Sequence, residues 1–276
     1  MPELPEVETI KNQLKEKIVG KTIKEVKVNL PKMIKGLSAK EFITKVKGAK
    51  VKDVARRAKL LIIFLSSGDS LIIHLKLTGQ IIYKNQIKNQ NYKHAHIIYH
   101  FKDKSVLFHN DLRQFGYVRL METANLPEFF LKEKFGPEPL EKNFTLEKFR
   151  KIIFQKPRRE IKPLLMDQNF IAGVGNVYAS ETCFCAKVLP TRMIENFKDD
   201  EIKNIYQCLL NILRAAIKFQ GTSADAYLDI HGREGRYLSK LKVYGREGEK
   251  CLRCGGQIKK IILKGRGTFY CPKCQR

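Results

Sequence analysis

The chain is short of acidic residues. It carries 28 Asp and Glu against 53 Lys and Arg, a formal net charge of +25. That imbalance argues against a basic partner and for a polyanion, of which nucleic acid is the commonest. Part of the excess belongs to a general richness in Lys-Ile-Asn stretches; arginine, scarcer and clustered, is more telling. No apolar run comes near the ~20 residues of a membrane span. The longest, Leu60–Leu65, suits a buried strand. A charged-then-apolar export signal is lacking too, as are internal repeats and low-complexity segments. Cysteines number seven, an odd count, which without an export signal argues for a reducing, intracellular compartment. What remains is a 276-residue chain, 43% hydrophobic, long enough for two domains and a small appendage.

The first nine residues are Met1-Pro2-Glu3-Leu4-Pro5-Glu6-Val7-Glu8-Thr9. Removal of Met1 would make Pro2 the terminus, with a secondary amine. A terminal amine titrates near about 7.7–8.0 against about 10.4 for lysine, so a useful fraction is neutral at pH 7. A neutral amine can attack an electrophilic carbon such as a sugar C1′, and the product is a cationic iminium that draws electrons. Glu3 puts a carboxyl within reach of the same carbon. The plainer reading is a helix start with Met1 retained: Pro5 suits a first turn, with Glu6 and Glu8 beside it.

Val7, Ile10, Leu14 and Ile18 recur at helical spacing and predict one amphipathic helix ending near Gly20. Eight short runs then read as strands: 23–30, 49–55, 60–65, 70–75, 80–83, 97–101, 106–109 and 117–121. Together they predict a β-sandwich or barrel with the helix alongside. Asn125-Leu126-Pro127 and Gly136-Pro137-Glu138-Pro139 read as linker. Helices are expected over 145–154, 161–167, 177–185 and 199–219, so this half is mainly α. Residues 220–241 have glycines and little periodicity and read as a long, mobile loop, a kind that usually serves a function. The expected domains are 1–124, 125–242 and 243–276.

The last module holds Cys251-Leu252-Arg253-Cys254 and Cys271-Pro272-Lys273-Cys274, sixteen residues apart. Two such knuckles can place four thiolates around one zinc, and four protein ligands make that zinc structural. About thirty residues bury too little apolar surface alone, so the metal would supply their folding free energy. The intervening residues read as a hairpin whose tip, Lys264-Gly265-Arg266-Gly267, is suited to reach a phosphate. Arg56-Arg57-Ala58-Lys59 and the run Lys156-Pro157-Arg158-Arg159 with Lys162 are either phosphate contacts or solvated turns. Gly173-Val174-Gly175-Asn176 before a helix offers N–H groups and an amide to an anion, though an isolated GxG is a weak signal. In Asp111-Leu112-Arg113-Gln114-Phe115-Gly116 an arginine and an aromatic share one face of an extended segment. They form either a wedge for a duplex or a cross-strand packing pair. His74 ends an apolar strand, as core histidines do. His94 and His96 share a strand face, as two zinc ligands might, but no third ligand at recognisable spacing supports a second metal site.

Taken in order, PELPEVET, RRAKLL, IIHLKLTG, DLRQFG, GPEPL, IKPLLMDQ, GVGNVYASE and GRGTFYCPxC give a chain that closely resembles the formamidopyrimidine-DNA glycosylases. The resemblance spans the whole length. It implies an α+β multidomain fold: an N-terminal β-sandwich with a flanking helix, a helix–two-turns–helix domain and a C-terminal zinc finger, with DNA in the cleft between. It implies a glycosylase and lyase for 8-oxoguanine and formamidopyrimidines in damaged double-stranded DNA, needing one structural zinc and no organic cofactor. By position, Pro2 is the nucleophile, Glu3 the proton donor, Lys59 assists β-elimination and Arg266 δ-elimination. His74, His94, Arg113, Arg158, Lys162 and Asn176 are implied DNA contacts, and residues 222–237 the segment closing over an everted base. Leu77 and Phe115 complete a wedge with Arg113, although the family usually has methionine where Leu77 stands. Phe269 is a smaller departure, at a position where many relatives carry histidine. Endonuclease VIII-type enzymes, which usually begin PEGPE, and a non-catalytic zinc-ribbon DNA binder are the alternatives. The expectation is a monomeric, cytoplasmic, nucleoid-associated protein of bacterial type with no membrane partner.

Overall fold

The computed structural model describes residues 1–86 and 94–276. They form two compact units, Met1–Glu133 with Phe219–Arg236, and Lys134–Lys218 with Tyr237–Arg276.

The first unit opens with helix α1 (Leu4–Ile18), whose Val7, Ile10, Leu14 and Ile18 are fully buried, as the 3.6-residue period requires. Strands β1 (Ile23–Val28) and β2 (Ile34–Lys35), helix α2 (Ala39–Val46), and strands β3 (Val51–Arg57), β4 (Leu60–Leu65), β5 (Asp69–His74), β6 (Gly79–Lys84), β7 (Ala95–Phe101), β8 (Val106–Asp111) and β9 (Tyr117–Glu122) follow. They build a five-stranded sheet, β2-β9-β5-β4-β3, and a four-stranded sheet, β1-β7-β8-β6. Leu61, Ile63, Leu71 and Ile73 of the first sheet share one buried cluster with Ile81, Ile97, Tyr99 and Leu107 of the second. This is the core of a β-sandwich. Helix α1 packs on β3 and β4, which explains why β4 is apolar on both faces.

The α1 period and the eight strand runs are found close to where they were expected. Two helices were not. Helix α2 has Ser38 as N-cap, with Glu41 accepting the Ser38 N–H in return. Only Phe42 and Val46 of its eight residues are buried, so its apolar stripe is thin. Asn125-Leu126-Pro127 is not linker: a 3₁₀ turn over Thr123–Asn125 runs into helix α3 (Leu126–Glu133), and Pro127 occupies the first turn, where its missing N–H costs nothing.

The second unit contains α4 (Leu146–Ile153), capped by Thr145, then α5 (Ile161–Leu165), α6 (Asn176–Cys185), α7 (Asp199–Lys218) and the hairpin β10 (Lys259–Leu263) with β11 (Arg266–Tyr270). Helix α6 is buried on nearly every side, so it has no amphipathic stripe. Cys185 at its end is disulfide-bonded to Cys208 of α7, with Cα atoms 5.8 Å apart. The odd cysteine count had pointed only to a reducing compartment; spacing in sequence carries no sign of this pair. Among the described residues no helix is long and apolar enough to cross a membrane.

Candidate functional site

In the first unit the chain start is built around Glu6. One of its carboxylate oxygens accepts the Glu3 N–H and the other the Thr222 N–H, both at 2.8 Å. Pro2, Glu3 and Glu6 are all buried. A single carboxylate therefore fixes the residue after Pro2 and the neck of the 219–236 segment. Gly221 makes this possible. Its φ is +84°, and a Cβ there would lie 2.9 Å from Glu6 Oε1 and 3.0 Å from Tyr227 Cε1.

The 219–236 segment is not the slack loop its composition suggested. Arg236 N–H donates to the Phe219 carbonyl, Gly235 N–H to Ser223 Oγ, and Ser223 Oγ–H to the Tyr227 carbonyl. Tyr227 and Ile230 enter the sandwich core. Asp229 collects the N–H groups of His231 and Arg233 and the Arg233 guanidinium. Two anchors, Tyr227 and Ile230, and local side-chain acceptors replace the periodic pattern that sequence reading relies on.

Beside the chain start, Arg56 donates to Glu8 and to the Ala58 carbonyl, both at 2.8 Å. Burial pulls the Glu8 carboxyl up, but hydrogen bonds from Lys11 and Arg56 outweigh it, so Glu8 lies below the usual carboxylate range. Lys59, the next residue after Ala58, is buried at the β3–β4 turn. His74, at the end of β5, is held neutral: burial, then the charges of Lys76 and Lys59, push it down to about 3. Its Nδ1 accepts the Lys76 N–H at 3.0 Å, which leaves the proton on Nε2. His74 thus presents a neutral donor, the form suited to a phosphate oxygen.

The turn carrying Leu77 and the turn carrying Arg113 and Phe115 meet at Asp111. This fully buried carboxylate accepts from Thr78 Oγ at 2.5 Å, from Gly116 N–H at 2.6 Å and from Arg113 N–H at 3.2 Å. Arg113 N–H also donates to Thr78 Oγ. The Arg113 guanidinium lies 5.2 Å from the Phe115 ring centre, and Phe115 is 55% exposed. The turn carrying Leu77 and the turn carrying the Arg113–Phe115 pair are therefore joined, and Asp111, which sequence reading passed over inside its own motif, is what joins them. His94 is exposed before β7, whereas His96 is buried against the Asp111 carbonyl, so the two do not form a ligand pair.

In the second unit Lys162 is buried, and its ammonium donates to Asn176 Oδ1 at 2.6 Å and Thr268 Oγ at 2.7 Å. The Asn176 amide in turn donates to the Gly267 carbonyl at the hairpin tip. Arg158, Lys162 and Arg266 line one cavity of about 520 Å³ together with Arg159 and Lys264. Arg159 is tied to Asp167 at 2.7 Å, leaving Arg158 and Arg266 as the exposed guanidinium groups. Three of the residues singled out in sequence thus converge on a cation-lined hollow suited to a phosphodiester.

The Sγ atoms of Cys251, Cys254, Cys271 and Cys274 all lie within 4.8 Å of one another. The Cys251–Cys274 and Cys254–Cys271 pairs are 3.8 and 3.5 Å apart. Sulfurs at about 2.3 Å from a tetrahedral zinc stand about 3.8 Å from each other, so the set fits one structural zinc. Among the described residues it is the one cluster able to hold a metal. Its supports are side chains that sequence reading missed. Glu181 of α6 accepts the N–H groups of Lys242, Val243 and Tyr244 on the approach to the module. Arg253, between the first two ligands, stacks 4.3 Å over Phe184 and donates to its carbonyl. Gln275 bridges Cys271 N–H and the Val188 carbonyl.

Comparison with known proteins agrees with this layout. Residues 1–118 match the family model of the formamidopyrimidine-DNA glycosylase N-terminal domain. Residues 135–227 match that of the formamidopyrimidine-DNA glycosylase H2TH domain, and 248–276 that of the zinc finger found in FPG and IleRS. The formamidopyrimidine-DNA glycosylase of Listeria monocytogenes is 40% identical over 276 residues, and that of Heliobacterium modesticaldum 38% over 278; both alignments cover 100% of each chain. The Lactococcus lactis Fpg in complex with DNA containing an abasic site superposes with a TM-score of 0.93 at 34% identity over 99% of both chains. A Lactococcus lactis FPG mutant with Fapy-dG-containing DNA gives 0.92 at 34% identity over 100% of both. The sandwich, the helical domain and the four-cysteine module therefore place this chain in the formamidopyrimidine-DNA glycosylase family.

Proposed function

We propose that this chain excises oxidised purines, chiefly 8-oxoguanine and formamidopyrimidines, from double-stranded DNA through a covalent bond to Pro2, and then cuts the strand by β- and δ-elimination. The observation that carries this reading is the chain start: a Pro-Glu pair, buried and fixed by Glu6, at the head of a chain that matches the family along its length. A base inside a duplex is out of reach, so its nucleotide is flipped out, at a cost of a few kcal/mol of unstacking. Leu77, Arg113 and Phe115 fill the vacated stack. Phosphate contacts from His74, His94, Arg158, Lys162, Asn176 and Arg266 supply most of the affinity, which falls steeply with salt. The Pro2 lone pair attacks C1′ as the base leaves, and Glu3 protonates the ring oxygen as the sugar opens. The resulting iminium acidifies the C2′ proton, whose loss expels the 3′-phosphate. Lys59 assists that step and Arg266 the second elimination, at the 5′-phosphate. The electron sink is the protein's own imine, and zinc takes no part beyond holding Arg266's module together. All these groups come from one chain, which supports a monomer; its proposed setting is the cytoplasm, on nucleoid DNA, and the three matched family models support a division into 1–124, 125–242 and 243–276.

The test uses protein whose intact mass shows Met1 removed. Borohydride is expected to trap one enzyme–DNA adduct on an 8-oxoguanine duplex, and a panel of lesions to show purine products excised ahead of oxidised pyrimidines. No adduct would sink the mechanism; a pyrimidine preference would transfer the chain to the endonuclease VIII type; binding without excision would leave a DNA-binding protein.

The wedge gives a second expectation. Asp111→Ala leaves the buried Gly116 N–H without its acceptor, at a cost of about 1–3 kcal/mol, and frees the Thr78 hydroxyl, while the Arg113 N–H keeps only its bond to Thr78 Oγ. A lower melting temperature is expected, together with a smaller fluorescence rise from 2-aminopurine placed opposite an abasic site. An unchanged rise would separate Asp111 from the wedge. Leu77 is close to methionine in volume but less flexible, so altered tolerance for the opposing base is the expected consequence.

A further inference from the structure

The terminal amine of the chain has a specific partner. With Met1 attached, its nitrogen lies 2.7 Å from Asp225 Oδ2. Asp225 belongs to the 219–236 segment, 224 residues away in sequence, and its side chain is 58% exposed. Neighbouring residues explain how it is held there. Glu6 fixes Thr222, Ser223 grips Tyr227, and the Gln80 amide donates to the Ala226 carbonyl at 2.7 Å. The carboxylate is therefore mounted on an anchored stretch. One residue of backbone spans at most about 3.6 Å, so Asp225 stands within roughly 6 Å of the Pro2 nitrogen, the terminus once Met1 is gone.

Several other charged groups near the chain start have partners of their own. Glu6 holds Glu3 N–H and Thr222 N–H. Glu8 pairs with Arg56 and Lys11. Arg57 and Lys59 come from β3 and its turn, and α1 packs on that strand. Asp229 and Arg233 pair with each other. Among the described residues Asp225 is the carboxylate paired with the terminal amine.

We infer that Asp225 is a positioning residue for the Pro2 amine, orienting it before attack and facing the iminium afterwards. The inference rests on the Pro2 chemistry proposed above. In the processed chain the secondary ammonium faces the Asp225 carboxylate. One of its two protons passes to water along the exposed carboxylate, which frees the lone pair. That pair forms the N–C1′ bond as the C1′–base bond breaks, and the base departs with its bonding electrons and takes up a proton. The remaining N–H proton is lost as the C1′–O4′ bond opens, O4′ being protonated by Glu3, and nitrogen becomes the iminium. A fixed anion within about 4–6 Å favours a cation, so Asp225 holds both the ammonium and the iminium. Its removal therefore leaves the amine less well oriented and the iminium less stable once made.

The experiment compares processed wild-type, Asp225→Asn and Asp225→Glu proteins, checked by intact mass, on an 8-oxoguanine duplex. Single-turnover excision is followed from pH 5.5 to 9, and borohydride-trapped adduct is measured at a fixed time. For Asp225→Asn single-turnover excision and trapped adduct are each expected to fall about threefold with DNA binding unchanged, and Asp225→Glu to restore both. Unchanged profiles and adduct would overturn the inference, as would a loss of both across the whole pH range with weakened DNA binding, which would mark Asp225 as a support of its loop. Absence of any adduct with the wild-type protein would instead overturn the Pro2 reading itself.

Discussion

Processed protein carrying Pro2→Gly is expected to bind lesion-containing duplex as tightly as wild type and to leave excision at background. The replacement keeps a terminal amine but loses the secondary nitrogen whose adduct becomes an iminium without a further proton to shed. Enzymes commonly accelerate their reactions by about a millionfold or more, and covalent capture is the step on which this acceleration is proposed to depend, so a loss of at least about a thousandfold is expected. Binding is expected to survive because the cations proposed to hold phosphate, Arg158, Lys162 and Arg266, lie in the other unit. Single-turnover excision and a salt-matched binding titration check the two halves separately. Undiminished excision would remove Pro2 as the nucleophile, and weakened binding would mean that the chain start helps to hold DNA. A chain that retains Met1 is expected to behave the same way for a different reason: its Pro2 nitrogen is an amide, with its lone pair delocalised.

Loss of zinc is expected to act on the second unit, through its folding. Apparent binding free energies of structural zinc run to about 10–16 kcal/mol, more than a module of thirty residues has in reserve. Cys254→Ser leaves three thiolates to hold the metal, and chelation removes the metal itself. Either is expected to collapse the hairpin β10–β11 and take Arg266 and the Thr268 contact with Lys162 with it. Each charge-assisted hydrogen bond lost is worth about 1.5–3 kcal/mol, so DNA affinity is expected to fall at least about tenfold. Zinc content by native mass spectrometry, amide exchange over 248–276 and DNA binding give the readout. Retained exchange protection after complete chelation would show a module that folds without metal. Glu181, Arg253 and Gln275 join this module to α6 and the residues after it, so loosening is also expected in Val243 and Val188, not only between the knuckles.

Sequence carried the parts whose signal is local. The α1 stripe, the continuous apolar run of β4 and the two CxxC knuckles each state their structure within twenty-five residues or fewer. Helix α2 was legible in principle, since Ser38 and Glu41 stand at capping-box spacing, but two buried residues in a lysine-rich stretch make a weak period. Helix α3 was hidden by Pro127, which marks a helix start as readily as a linker. The remaining omissions are long-range. Nothing near Asp111 in sequence says that it meets Thr78, nothing near Glu6 announces Thr222, and Cys185 gives no hint of Cys208. The site residues themselves were named by motif. Sequence could not tell which of them would share a hollow, as Arg158, Lys162 and Arg266 do, or that His74 would be locked as a neutral donor.

The forked grip of Glu6 has one more consequence. Its two oxygens belong to one planar group, so the amide of Thr222 and the amide of Glu3 cannot shift independently. A displacement of Thr222 therefore acts on the same rigid group that holds the residue joined to Pro2, like a latch whose tongue and handle are cut from a single piece.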